Sequence, residues 1–369
     1  MAMRYQCASA ALVLGTLLAI SAASPTRAEN SARADENARR SLAGALGERA
    51  LPVLARRSVR TPEATLSALG ESLRRLDASL SVERATREAQ QGRLLVTTAD
   101  WRLIVFRDGS AAEFVNLAAA GKAHESGVDA SRKMSSDALQ SAGRDFIARY
   151  LADAIVLGPS ERLEPEMTSA RIEGGVAADG TAGYSAVVAN RIVFTREIDG
   201  VPVVGAGSKV TITFLNDGSL ESFRYDWPQY VATDRVQPTT DVAEVLNRVG
   251  RIAGVRPETL LRGGDRPALA PARSAQGTTT LQRLACGYYD PGVMARDADA
   301  PVQTGCYFHL VNTRGEGDYV TRAARSGAVP AGRQIEADRS WPEAARILGM
   351  DGAPAPDAAE RPVPPRERQ

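Results

Sequence analysis

Histidine is almost absent from this chain, with two in 369 residues, His124 and His309. A catalytic zinc site takes three protein ligands rich in His. The helical His-Glu-x-x-His spacing is missing, because His124-Glu125 runs on into Ser126, Gly127 and Val128. His124 falls in the Ala-, Gly- and Ser-rich stretch Leu117 to Lys133, which reads as a linker. His309 alternates with Tyr307 and Val311 in a strand-like segment, as an ordinary sheet histidine does. The Gly-x-Ser-x-Gly elbow of a serine hydrolase is also lacking. An excess of one charge is lacking too: 45 Lys and Arg stand against 44 Asp and Glu, which gives no electrostatic basis for nucleic-acid binding.

Two glycine spacings imitate cofactor loops and fail on their residues. Gly200-Val201-Pro202-Val203-Val204-Gly205 begins like a phosphate loop, but Ala206-Gly207 stands where Lys and Ser or Thr are required. Gly205-Ala206-Gly207 begins a dinucleotide fingerprint, yet Val210 occupies the last glycine position and a strand pattern follows. No cofactor, metal or catalytic residue is assigned from motifs. Carboxylates are plentiful; Glu173, Glu197, Glu221 and Asp226 are left once turns and caps are set aside, and no spacing among them singles out an acid and a nucleophile.

Long apolar runs are confined to the start of the chain. Arg4 precedes an apolar run from Cys7 to Ala23, with small residues at Ser21-Ala22-Ala23 and Thr26-Arg27-Ala28. That is the layout of a cleaved export signal over residues 1–28. The run is short beside the roughly 20 residues of a membrane span, although an uncleaved anchor remains the alternative. The expected compartment is periplasmic or extracellular, with no membrane span once the signal is removed. Of the three cysteines, Cys7 leaves with the signal. Cys286 in LACGYY and Cys306 in GCYFHLV both sit in strand-like segments, and an oxidising compartment predicts a disulfide between them, with two buried thiols as the alternative.

The most informative stretch is Val187 to Tyr230. β-Branched and aromatic residues alternate with polar ones and are interrupted by Asp199-Gly200 and Asp217-Gly218, so the stretch predicts a three-stranded antiparallel meander. A two-residue type I′ loop at Asp217-Gly218 puts Leu215 opposite Leu220, Ile212 opposite Phe223, Val210 opposite Tyr225, Thr211 opposite Arg224 and Lys209 opposite Asp226. Apolar then meets apolar on one face, and a Lys/Asp pair falls on the other. A smaller hairpin is expected around Asp108-Gly109, with Leu103 opposite Phe114.

Residues 29 to about 91 read as helical, rich in Ala, Leu, Arg and Glu. The clearest helix starts at Thr61-Pro62-Glu63 and carries Leu66, Leu69, Leu73, Leu76 and Leu80 on one stripe. Two further helices are expected to open at Ser135-Ser136-Asp137-Ala138 and Thr239-Thr240-Asp241-Val242, each Asp standing as an N-cap three residues before Gln140 or Glu244. Strands follow both. The expected fold class is therefore α+β, with two tandem helix-plus-antiparallel-sheet units after a helical N-terminal region. The corresponding segments are a signal at 1–28, a helical region with a hairpin at 29–133, one unit at 134–232, a second at 233–330, and a Pro-rich, largely disordered tail at 331–369.

The order aromatic strand, Gly-Val-Pro-Val turn, small-residue bend and acidic-Gly turn, in Phe194 through Gly205 and Asn216 through Leu220, resembles the propeptide modules of thermolysin-like metallopeptidases and the related PepSY domains. The resemblance covers some 40 residues. It implies a non-catalytic module that restrains or helps fold a secreted peptidase, although no peptidase domain follows in this chain. The expected function is exported protein binding, with a secreted metallopeptidase as the implied partner. A carboxylate-dependent hydrolase and an envelope scaffold are the alternatives. Candidate contact residues are Phe223, Tyr225, Trp227 and Tyr230, because aromatics dominate binding hot spots; alternation in a strand equally suits a core.

Overall fold

The computed structural model describes residues 50–57, 60–90, 92–125, 134–176, 182–240, 242–254, 278–296, 300–314 and 321–332. The expected signal, the helical reading of 29–49, the Asp241 cap and most of the expected tail lie outside the described residues. In chain order the elements are β1 (Ala50–Arg57), α1 (Pro62–Leu76), β2 (Thr86–Gln90), β3 (Arg93–Thr97), β4 (Trp101–Phe106), β5 (Ala111–Asn116), α2 (Leu117–Glu125), α3 (Ser136–Phe146), β6 (Glu161–Val176), β7 (Ala182–Ile198), β8 (Val201–Gly205), β9 (Lys209–Leu215), β10 (Leu220–Asp226), β11 (Gln229–Pro238), α4 (Val242–Ala253), β12 (Thr278–Asp290), β13 (Thr304–Arg314) and β14 (Thr321–Pro330).

The meander forms with a register close to the expected one. Ile212 faces Phe223, Thr211 faces Arg224, Val210 faces Tyr225 and Lys209 faces Asp226. The turn differs. Leu215 N–H donates to the Ser219 carbonyl at 2.9 Å, and at this turn only Gly218 takes a positive φ, +84°. A type I′ turn needs two such residues, so the loop has three residues instead of two. Leu220 therefore faces Phe214 rather than Leu215, and a bulge between Leu220 and Ser222 restores the register beyond it. The other turn is of the I′ kind, with Asp199 at φ +51°, Gly200 at +79°, and Ile198 opposite Val201.

The α+β tandem is overturned. Among the described residues 53% are strand and 23% helix, and the strands of all the expected segments join rather than forming separate sheets. One 12-stranded sheet runs β14-β13-β12-β8-β7-β9-β10-β5-β4-β3-β2, with β6 on the free side of β7; a second, two-stranded sheet pairs β1 with β11. Two joints make it continuous. The expected N-terminal hairpin docks on the meander through β5 and β10, with Phe114 opposite Phe223. At the other joint β8 and β9 form one return strand along β7, interrupted by a wide bulge, and the bulged backbone pairs in parallel with β12, Val203 opposite Tyr288 and Gly205 opposite Asp290.

The helical reading of residues 29 to about 91 holds for α1 but fails on either side of it, since β1 and β2 are strands. Their Ala-, Leu- and Arg-rich composition favours helix only weakly, and pairing with a ready partner edge outweighs it. Pro52 would have broken a helix there; in an edge strand it sits at a register shift. Leu117 to Glu125 is helix rather than linker, so His124 lies in α2. The cap of α3 is Ser135, whose hydroxyl accepts from Ala138 N–H at 3.2 Å, and not Asp137. The α1 start is as expected: Thr61 caps, and Leu66, Leu69 and Leu73 are buried.

Two large cores pack on the sheet, with a small third cluster of Val204, Tyr289 and Ala328. One packs α1 and α3 on strands β4, β5, β7, β9 and β10, around Trp101, Phe114, Phe194 and Phe223. The other packs α4 and Leu51 and Leu54 of β1 on β8, β12, β13 and β14, around Val203, Tyr288 and Phe308. Cys286 and Cys306 stand directly opposite each other on β12 and β13 and are disulfide-bonded inside this second core. Among the described residues no helix is long and apolar enough to cross a membrane.

Replacing both cysteines with Ala should lower the unfolding free energy by about 3 kcal/mol, the chain-entropy figure for a separation of 20 residues. Urea midpoints of the oxidised protein and the double variant check this, and equal midpoints would contradict it.

Candidate functional site

The geometry of the site starts from the bulge between β8 and β9. Gly205 sits at φ +107°, and a Cβ there would lie 2.2 Å from the Asp290 carbonyl. A Cβ on Gly207 would lie 2.2 Å from the Asp290 carboxyl carbon. Only glycine lets the bulge close over Asp290. Gly207 N–H donates to the Asp290 carbonyl at 3.0 Å, and Gly292 N–H to its Oδ1 at 3.0 Å. Asp290 is therefore fully enclosed at the end of β12.

Arg296 neutralises this enclosure. Its side chain is 3% exposed and reaches three carboxylates from three parts of the chain. Nη2 donates to Asp226 Oδ1 and, at 3.1 Å, to Asp290 Oδ2; Nε donates to Asp290 Oδ1 at 3.3 Å. Nη1 donates to Asp108 Oδ2 at 3.0 Å and Ser110 Oγ at 3.1 Å. Tyr230 donates its hydroxyl to Asp290 Oδ2, with Ser208 Oγ 2.8 Å from the Tyr230 oxygen. The expected Lys209/Asp226 pair does not form across the strands: Lys209 pairs with Glu166, and Asp226 with Arg296.

A second buried cation stands beside the first. Arg196 on β7 is fully enclosed, lies 3.7 Å from Glu161, and donates to the Pro228 carbonyl at 2.7 Å. Its guanidinium carbon lies 4.0 Å from the Trp227 ring centroid and 4.9 Å from that of Tyr230, cation–π distances for both. Burial pulls its pKa down, against the charges of Tyr230 and Glu161.

Two carboxylates facing one guanidinium cannot both ionise freely. Burial, then the neighbouring Asp290 charge, pushes Asp226 up to about 6 against the pull of Arg296. Burial also works against ionised Asp290, but Arg296, the Tyr230 hydrogen bond and the Gly292 N–H outweigh it and hold Asp290 below the ordinary carboxylate range. Two acids with opposed protonation preferences are what a carboxylate hydrolase would use. These two are buried, held by Arg296, and absent from the lining of the adjacent cleft, so their geometry is that of a structural cluster.

The cleft lies on the outer side of this cluster. It has a volume of about 330 Å³ and is bounded by Arg57 and Arg60, by Thr65 of α1, by the 108–110 turn, by residues 153–156, and by Tyr225, Trp227 and residues 229–231. Three of the four sequence-derived aromatics, Tyr225, Trp227 and Tyr230, converge here. The fourth, Phe223, does not border the cleft; Phe223, Tyr225 and Trp227 all belong to the first core and are each 2% exposed, the Phe223 ring lying 5.4 Å from Phe114 and 6.4 Å from Tyr225. Trp227 Nε1–H donates to the Val156 carbonyl at 3.1 Å, and Tyr230 is held by Asp290, so both rings are fixed. The Tyr225 hydroxyl is buried without a hydrogen-bond partner, and burial raises its pKa well above that of a free phenol. A second cleft of about 430 Å³ beside Leu76, Phe146 and Phe214 has no such unpartnered group along it.

Strand alternation points to the aromatics and to an Asp226 facing Lys209, and it does not point to Arg196, Asp290 or Arg296. The available signals were an Arg inside the apolar run of β7 and the Asp-Pro-Gly after two tyrosines.

No family model matches the chain, and no curated protein matches it. A solved structure of an uncharacterized protein from Eubacterium rectale ATCC 33656 is similar at TM-score 0.45 and 10% identity, over 78% of this chain and 86% of that one. That level of likeness carries no argument about fold or function, and it does not bear on the propeptide resemblance.

Asp226 yields a pH dependence with a definite sign. Its folded pKa is raised from 3.8 to about 6, so its stabilising contribution is full below pH 4 and is lost as pH rises through 6. Asp290 works oppositely, its contribution being present above its unfolded value and lost at lower pH. Between pH 4 and 7 the wild type should lose about 2 to 3 kcal/mol through Asp226, and an Asp226→Asn variant should lack this decline. Urea unfolding across that range checks it, and parallel curves would contradict it.

Proposed function

We propose that this chain is an exported, non-catalytic binding protein whose cleft beside Tyr225, Trp227 and Tyr230 holds a segment of another protein. The observation that carries the reading is the convergence of those three aromatics on one concave site, with a buried hydroxyl left unpartnered inside it. Concave, mostly apolar sites with a few placed polar groups are where ligands bind, and Tyr and Trp are enriched among residues that dominate binding energy. Rings already fixed by Val156 and Asp290 lose little freedom on binding.

The disulfide and the lack of a membrane-crossing helix among the described residues are compatible with export. The signal-like first 28 residues support the same compartment. The narrower proposal is that the bound segment belongs to a secreted peptidase which this protein restrains or helps fold. It rests on the resemblance at Phe194 to Gly205 and on the Asp217-Gly218 turn.

Val231 on the cleft rim is 46% exposed, so a Val231→Trp substitution fills the cleft from its exposed side without replacing a core residue. The chain from Glu29 onward should retain a partner from the source organism's exported proteins, and the variant should lose it at unchanged melting temperature. If the partner is a metallopeptidase, its activity should fall on titration with wild type and not with the variant. Equal retention by both proteins would remove the cleft from the account.

A further inference from the structure

Deepening that reading and resting on it, we infer that the cleft takes the carboxyl terminus of a peptide, the carboxylate lying between the Tyr225 hydroxyl and the Arg60 guanidinium. Two observations lead there. Tyr225 borders the cleft and is 2% exposed, and among the cleft residues its hydroxyl is the one donor that is buried and unused. A buried unpaired hydroxyl is unfavourable in the free protein, and a ligand that accepts from it removes that penalty. Arg60, half-buried on the same cleft, makes no hydrogen bond or ion pair among the described residues and lies close enough to Tyr225 for its charge to act on that hydroxyl.

The local charge favours an anion. Arg57 and Arg60 contribute two cations, and Thr65 brings in the first turns of α1, the positive end of a 15-residue helix. Against these stands Asp153, exposed at the rim; Asp108 is already matched by Arg296. A hydroxyl and a guanidinium are donors enough for the two oxygens of a carboxylate. Trp227, Ala154, Val156 and Val231 give the rest of the wall its apolar part, interrupted by Ser110, Gln229 and Tyr230. A site of about 330 Å³ suits one apolar terminal side chain with its carboxylate, and the peptide leaves over the exposed rim.

The test uses the full mature chain and an acetylated peptide ending in Leu, prepared as the free acid and as the carboxyl amide, with isocaproate as a small free acid. Binding is read by calorimetry. The free acid should bind, and the amide should bind at least about tenfold more weakly. Arg60→Gln should lose about tenfold in affinity at unchanged melting temperature. Tyr225→Phe should lose affinity while melting at a higher temperature, a combination that a merely structural tyrosine would not give. Isocaproate should compete only weakly.

Equal binding of acid and amide that is nevertheless abolished by Val231→Trp would overturn the carboxylate assignment and leave the cleft reading standing. Free-acid binding that survives Val231→Trp would overturn both. Isocaproate matching the peptide would overturn the peptide assignment, and absence of free-acid binding up to about 1 mM would overturn the inference altogether.

Discussion

The guanidinium of Arg296 is the group on which the middle of this molecule depends. It gathers Asp108 from the turn after β4, Asp226 from the end of β10 and Asp290 from the end of β12, three segments that otherwise belong to different parts of the sheet. Buried ion clusters are weak sources of net stability, because desolvation offsets the attraction, but removing one partner leaves an uncompensated charge at a cost of about 3 to 5 kcal/mol. The cluster therefore acts chiefly on specificity. A strand arrangement that separated β10 from β12 would bury the carboxylates without their cation, so the parallel joint of β8 with β12 and the antiparallel joint of β5 with β10 are fixed together. Gly205 and Gly207 serve the same joint by letting the bulged backbone close over Asp290.

That arrangement also builds the cleft. Asp290 holds the Tyr230 hydroxyl, and Arg196 lies against the faces of both Tyr230 and Trp227. Trp227 N–H donates to the Ser110 carbonyl at 2.8 Å, which carries the 108–110 turn along the cleft wall. Every one of these groups is engaged by its neighbours. The Tyr225 hydroxyl beside them has no hydrogen-bond partner, as is also true of Arg196 Nε and Nη2, and it is the unpartnered group among the residues that border the cleft.

The parts of the fold legible in the sequence were those set by neighbouring residues. The Ile212/Phe223 and Val210/Tyr225 register follows from alternation and a nearby turn, and it survives an error in the turn itself because the bulge at Glu221 compensates. The Leu103/Phe114 pairing and the Cys286–Cys306 bond followed from equally local cues. The fold class was not legible, because it depends on which sheet edges meet. Nothing in Thr86 to Gln90 separates a helix from a strand until the β3 edge is there to pair with, and in Ala50 to Arg57 Pro52 speaks against a helix without saying which edge the segment joins. The buried cluster was hidden for a related reason. Asp226 had an opposite neighbour, Lys209, with which a two-strand argument would pair it, while its actual partner is 70 positions away on another strand's exit loop. The aromatic alternation is legible, but which of its members also border a cleft is decided by packing: Phe223, Tyr225 and Trp227 share one core, and of the two on β10 only Tyr225 lies far enough along the strand to reach the cleft.

The proposed carboxylate site at the Tyr225–Arg60 corner of the cleft is tested most directly by a crystal structure of the chain from Glu29 onward with a Leu-terminated peptide acid bound. One carboxylate oxygen should lie within hydrogen-bond distance of the Tyr225 hydroxyl and the other on the Arg60 guanidinium, with the terminal side chain against Trp227. A peptide seated elsewhere, or seated here with its carboxylate in solvent and the Tyr225 hydroxyl still unpartnered, would contradict it.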